Sequence, residues 1–189
     1  TKNIQDLIAL ARKQPGKLNY ASAGIGTASH VPAELMKSMA NVDIVAVQYK
    51  GTPEGMTDLI AGRMDVMFIG TQIALPLMQT GKLRVLATTG PNRSRFLPNV
   101  PSTREAGYAD VLAEDFFALF VPARTPADVI ERLGVALRDA LKSTELQERM
   151  TQLGLEVRST TPAEMNAIVR TQFDTWGPIV KASGFASEE

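Results

Sequence analysis

Cysteine is absent from this chain and histidine occurs once, as His30. The first absence removes disulfides, thiolate metal sites and cysteine nucleophiles together. The second makes a zinc site or a serine–histidine–aspartate triad a poor fit, so no metal is expected. No uninterrupted apolar run approaches the roughly 20 residues of a membrane span. The opening TKNIQDLIALARKQPGK reads as an amphipathic helix and not as a basic segment followed by an apolar one. A soluble chain is expected, with any signal peptide removed or never included. Neither charge sign dominates: 20 basic residues face 20 acidic ones, without a run of like charge. No overall field favours nucleic acid or an anionic membrane surface.

What is present is an ordinary globular composition, 189 residues with 44% hydrophobic side chains, enough for one ample core or two small lobes. Ile4, Leu7, Ile8, Leu10 and Ala11 recur at helical spacing, and Pro15-Gly16 ends that helix before a short strand at residues 17–21. Helices near 33–40, 53–61 and 73–79 then alternate with the strand-like runs DIVAVQY, MDVMFI and LRVLATT. That order predicts right-handed crossovers and a parallel, helix-covered sheet. PNRSRFLPNVPSTREAGY interrupts it as a long ordered loop with one helical turn near 103–106, and marks a domain boundary. Beyond it, EDFFALFVP reads as one strand, followed by helices at about 126–142, 145–153 and 162–182. Thr125 and Thr161, each before a proline, read as N-caps. One strand makes a poor sheet for the apolar faces of those helices, so the second half is expected to be incomplete.

Between the first strand and its helix lies ASAGIGTASH. It fits GxGxxG at Gly24 and Gly26, but Ser29 takes the third place and the second strand ends in Gln48-Tyr49-Lys50, without the acidic residue that holds a ribose. A Walker A loop fails for want of Gly-Lys-Ser/Thr. What remains is a glycine-relaxed turn feeding a helix N-terminus, where backbone N–H groups and the hydroxyls of Ser22, Thr27 and Ser29 suit a carboxylate. The structural alternative is a tight turn with Thr27 or Ser29 capping the helix and His30 packed. Two neighbouring strand ends, with Tyr49, Lys50, Gly51 and Thr52 and with Gly70, Thr71 and Gln72, converge on the same edge if the sheet is parallel. Lys50 is an acid–base or Schiff-base candidate, though a solvated lysine is the commoner case. Three functions stay open on the residues alone: a binding protein, a small enzyme acting on a carboxylate through His30 or Lys50, and an interaction module without a ligand.

PGKLNYASAGIGTASHVPAELM, VQYKGTPEGMTDLIAGRMDVMF, GKLRVLATTGPNRSRFLPNVPSTREAGY and FFALFVPARTP, in that order, resemble the TctC-like or Bug-type solute-binding proteins of tripartite tricarboxylate transporters. The resemblance runs from Thr1 to the last helix. It implies an α/β fold of the type II periplasmic-binding-protein kind, and a periplasmic receptor, not an enzyme and without cofactor, that delivers a small carboxylate to membrane subunits. Ligand contacts are implied at Ser22, Gly24, Gly26, Thr27, His30, Tyr49, Lys50 and Gly51, and the third strand end adds Gly70 and Thr71. Gln48 stands where the family usually has proline, and Phe116-Phe117-Ala118 where Trp-Tyr-Gly is common. Ile69 occupies a position that is acidic in some members, which favours mono- or dicarboxylates over amino acids. Family members usually begin with roughly a hundred more residues, a two-domain length. Residues 1–108 are therefore expected to be the second lobe and 109–189 the C-terminal remnant of the first, with DFFALFV pairing to another copy in a strand-exchanged homodimer.

Overall fold

The computed structural model describes residues 1–182, and the chain divides into two compact units, Thr1–Asp115 together with 178–182, and Phe116–Gly177.

In the first unit, helix α1 (Ile4–Lys13) starts where Asn3 accepts the Asp6 N–H at 2.8 Å. Its apolar stripe of Ile4, Leu7, Ile8 and Ala11 is buried. Strand β1 (Asn19–Ser22) follows, then α2 (Val31–Ala40), β2 (Val45–Gln48), α3 (Thr52–Ile60), β3 (Val66–Met67) and α4 (Thr71–Gln79). The sheet has the order β2-β1-β3 and both pairings are parallel, with Ser22 opposite Gln48 and Ala21 opposite Met67. Because β1 is central, Tyr20, Ala21 and Ser22 are buried on both faces. Tyr20 and Ile44 pack with α1 and with Ala33, Met36 and Ala40 of α2 to form the core.

Gly55 brings α3 close to the sheet. A Cβ there would lie 3.2 Å from Ala21 Cβ and 3.3 Å from both Met67 Cε and Tyr49 Cδ2. The loop after the sheet is held by its own polar groups. Arg93 Nε donates to both Glu105 oxygens at 2.9 Å, Glu105 Oε2 accepts the Ser102 N–H at 2.8 Å, and the Ala106 N–H closes the expected turn on Ser102 O.

Two expected strands do not form. LRVLATT contributes only a single parallel bridge, Thr88 to Ser102, because the two-residue β3 extends no ladder along its outer edge. DFFALFV has no strand partner among the described residues and is not a strand. The strand-exchanged dimer that rested on it therefore has no support.

The second unit contains α5 (Ala127–Leu141), α6 (Thr144–Gln152) and most of α7 (Pro162–Ala182). Thr161 caps α7 as expected: its Oγ1 accepts the Glu164 N–H at 3.2 Å while Glu164 Oε2 accepts the Thr161 N–H at 2.7 Å. Thr125 does not cap α5, whose N-cap is Pro126 in extended backbone geometry one residue later. The proline ring takes the N-cap place because its ψ of 145° is not helical. Across 116–177 the only buried residue is Gly154.

Candidate functional site at the carboxyl edge of the sheet

Parallel pairing decides where the loops go. The three strands end on one edge, and each runs into a turn that begins a helix, so residues 23–30, 49–51 and 68–70 and the N-termini of α2, α3 and α4 gather there. The Tyr49 N–H donates to Ser22 O at 2.8 Å, which extends the β1–β2 ladder into the loops themselves.

The first loop is knitted internally. Ser22 Oγ donates to Gly24 O at 2.9 Å, Thr27 Oγ1 donates to the same oxygen at 2.6 Å, and Ser29 Oγ accepts the Ala23 N–H at 2.8 Å. The hydroxyls foreseen as ligand donors thus serve the turn first, and Ser22 and Ser29 are buried. Neither Thr27 nor Ser29 caps α2; its N-cap is His30, which makes no side-chain cap. Gly24 and Gly26 hold φ of 130° and 75°, a region that L side chains occupy at a cost. This backbone leaves the N–H groups of Ile25, Ala28 and Ser29 without an acceptor among the described residues. Ile25, Gly26 and Ala28 are exposed. Unpaired N–H groups on exposed backbone before a helix form a nest for an anion's oxygens.

Beneath the loop lies His30, buried, with its Nδ1 accepting the Gly26 N–H at 3.3 Å. Tyr20 donates to Glu34 Oε1 at 2.6 Å, and Lys37 Nζ reaches the same oxygen at 2.8 Å while lying 5.6 Å from the Tyr20 ring centre. Burial and the bond to Glu34 push the Tyr20 hydroxyl far above its usual range. Burial also lowers the His30 pKa, with Lys37 helping and Glu34 opposing.

The second loop is tied to α3 by a chain that sequence reasoning missed. The Tyr49 hydroxyl donates to Asp58 Oδ2 at 2.7 Å, and Arg63 Nε donates to Asp58 Oδ1 at 2.9 Å. The bond to Asp58 raises the Tyr49 hydroxyl, and Arg63 holds the Asp58 carboxyl low. The signal was available, since Asp58 lies nine positions beyond Tyr49, on the helix that the intervening loop begins. Lys50 is exposed and makes no ion pair among the described residues, while its N–H donates to Glu54 Oε2 at 3.3 Å. Gly51 and Gly70 are the N-cap residues of α3 and α4, and Thr71 opens α4. All ten residues named from the sequence therefore lie on one edge, Ser22 as the last residue of β1 and the other nine on loops or helix starts. Ser22 and His30 are buried behind the loop surface, and Gly26 and Lys50 are exposed on it. Among the described residues there is no cluster of side chains able to hold a metal ion.

The model of the tripartite tricarboxylate transporter family receptor matches residues 1–185. The chain belongs to this family. A protein of Pseudomonas sp. (strain P51), described as "UPF0065 protein in tcbD-tcbE intergenic region", is 31% identical over 95% of this chain and 54% of its own length. Among solved structures, the Rhodopseudomonas palustris protein Rpa4515 with adipate has a TM-score of 0.89 at 29% identity, over 98% of this chain and 62% of that one. MatC of the same organism with bound malate gives 0.85 at 26%, over 95% and 62%. The periplasmic binding protein BugD gives 0.87 at 30%, over 100% and 64%. The fold is thus that of the periplasmic binding proteins, and the family is one of solute-binding receptors, not enzymes. The chain spans about half the length of most of the curated relatives it matches.

Proposed function

We propose that this chain is the carboxylate-holding part of an extracytoplasmic solute receptor, in which the loop 23–30 grips one carboxylate through backbone N–H groups. The observation that carries this reading is the pair of unpaired N–H groups at Ile25 and Ala28, presented on exposed backbone at the carboxyl edge of a parallel sheet, with the unpaired Ser29 N–H buried just behind them. Gly51, Gly70 and Thr71 add two more helix N-termini at that edge, and Lys50 adds a cation that attracts anions without being buried. Neighbours holding adipate and malate support a mono- or dicarboxylate as the solute. The acidic side chains nearest the loops support it too: Asp58 is occupied by Tyr49 and Arg63, and Glu54 by the Lys50 N–H, which leaves little to meet an ammonium group.

In this reading residues 1–108 belong to one lobe of the receptor and the unit Phe116–Gly177 belongs to the other. The receptor works in the periplasm and passes its solute to the membrane subunits of a tripartite tricarboxylate transporter. The described helices include none long and apolar enough to cross a membrane, in keeping with that division of labour.

The test is a thermal-shift titration of the chain with adipate and malate. A ligand bound only by the folded state stabilises it by about 2.7 kcal/mol at a hundredfold excess over Kd. Gly24→Val, which forces a β-branched side chain to φ 130°, is expected to abolish the shift while circular dichroism stays native. A flat titration for the unsubstituted chain, still folded, sinks the proposal.

A further inference from the structure

His30 has no role in the carboxylate grip just described, yet its ring is the one side chain that bonds a backbone N–H at the exposed tip of the loop. We propose that His30 is the positioning residue that locks the glycine loop in its anion-ready shape through the bond from Gly26 N–H to Nδ1, and that protonation of Nδ1 opens the lock. The consequence for affinity rests on the carboxylate reading; the lock itself does not.

The geometry is specific about the proton. An imidazole nitrogen that accepts an N–H carries no hydrogen of its own, so a neutral His30 must bear its proton on Nε2. An imidazolium has two donors and no acceptor, and it turns an N–H toward the Gly26 N–H. Gly26 sits at φ 75°, where few side chains would stay, and it is exposed, so the bond to the buried ring is its tether. The other bonds of the loop engage Ala23 and Gly24 on one side and Thr27, Ser29 and the His30 N–H on the other, and none of them is made by Gly26 itself.

The groups around the ring favour a neutral form. On α2, Glu34 and Lys37 oppose each other, and Glu34 already accepts from both Tyr20 and Lys37. On β1, the Tyr20 ring lies 6.3 Å from that of His30, tilted by 37°. Burial then lowers the pKa of His30 below its usual value of about 6.5. The lock is therefore closed at neutral pH and opens as the pH falls through that lowered value.

The experiment is a pH titration of the uniformly 15N-labelled chain by nuclear magnetic resonance. The expected result is the Nε2–H tautomer for His30 above its midpoint, and a Gly26 amide whose shift and hydrogen-exchange rate follow the His30 titration with the same midpoint. His30→Asn keeps an acceptor, Oδ1, at the same distance along the side chain but does not titrate. Its Gly26 amide should stay flat over that range. With adipate and malate as probes, the affinity of the unsubstituted chain relative to His30→Asn should fall by up to about tenfold per pH unit below the midpoint. An Nδ1–H tautomer, or a Gly26 amide indifferent to the His30 titration, overturns the proposal. Amides that titrate together, with no binding of either probe by either protein, uphold the lock and count against the carboxylate reading instead.

Discussion

The two units obey the same local rules and end in opposite conditions. In Thr1–Asp115, α1 and α2 turn their apolar stripes inward and bury Ile8, Ala11, Met36 and Ala40 almost completely. In Phe116–Gly177, α5 carries an equally regular stripe, yet Leu133 and Leu137 are 40% and 42% exposed, and outside that helix Phe117 and Phe173 reach 82% and 72%. Caps, proline positions and charge pairs suffice to write a helix. They do not supply the surface against which its apolar face becomes stabilising. The difference between the units lies in packing, and substitutions read it directly.

The largest effect separates two leucine-type truncations. Ile8→Ala empties a site 2% exposed in the first core and is expected to cost about 2–5 kcal/mol in urea unfolding. Leu137→Ala removes a side chain that is already 42% exposed and should cost under about 1 kcal/mol. Equal costs would break the comparison.

Next comes one change with opposite signs. Gly55→Ala pushes a Cβ to 3.2 Å from Ala21 Cβ, between two strands that cannot retreat, and should destabilise by about 1–3 kcal/mol. Gly134→Ala, inside α5, meets only the mobile guanidinium of Arg138 at 3.0 Å and should gain up to about 1 kcal/mol from helix propensity. Thermal unfolding of both variants checks the signs.

Cap removals sharpen the contrast further. Asn3→Ala and Thr161→Ala each remove about 1 kcal/mol of helix stabilisation. The first should appear in the cooperative unfolding of the core, and the second as a loss of far-ultraviolet helical signal with little change in that transition.

The smallest effect is a pH window. His30 has a lowered folded pKa, so its contribution is complete above about pH 6.5 and is lost as the pH falls through the folded value. Glu164, held low by its bonds to Thr161, contributes above about pH 4.3 and loses that contribution only below it. Acid unfolding followed at core amides should therefore begin at a higher pH than unfolding followed at α7.

Much of this was legible in the sequence because the rules involved are local. Periodicity and proline positions placed α2, α3, α4, α5, α6 and α7 within two residues of their observed limits, and glycine with hydroxyl residues marked the strand ends. LRVLATT and DFFALFV were misread for one shared reason: β-branched and aromatic composition describes what a strand would bury, while a strand exists only where a neighbour completes its ladder. The hydroxyls of Ser22, Thr27 and Ser29 were correctly assigned to one turn, but not their direction. Whether a hydroxyl bonds a ligand or Gly24 O depends on the positive φ of Gly24 and Gly26, which composition permits but does not fix.

The strand order β2-β1-β3 also sets a sequence of events in time. Of these three strands the central one is made first, and α2 is made before β2 can pair with one of its edges. Its other side stays open until α3 has followed and Val66 arrives opposite Tyr20. Folding of this sheet is therefore paced by crossovers and not by hairpins, so it belongs among the slower topologies.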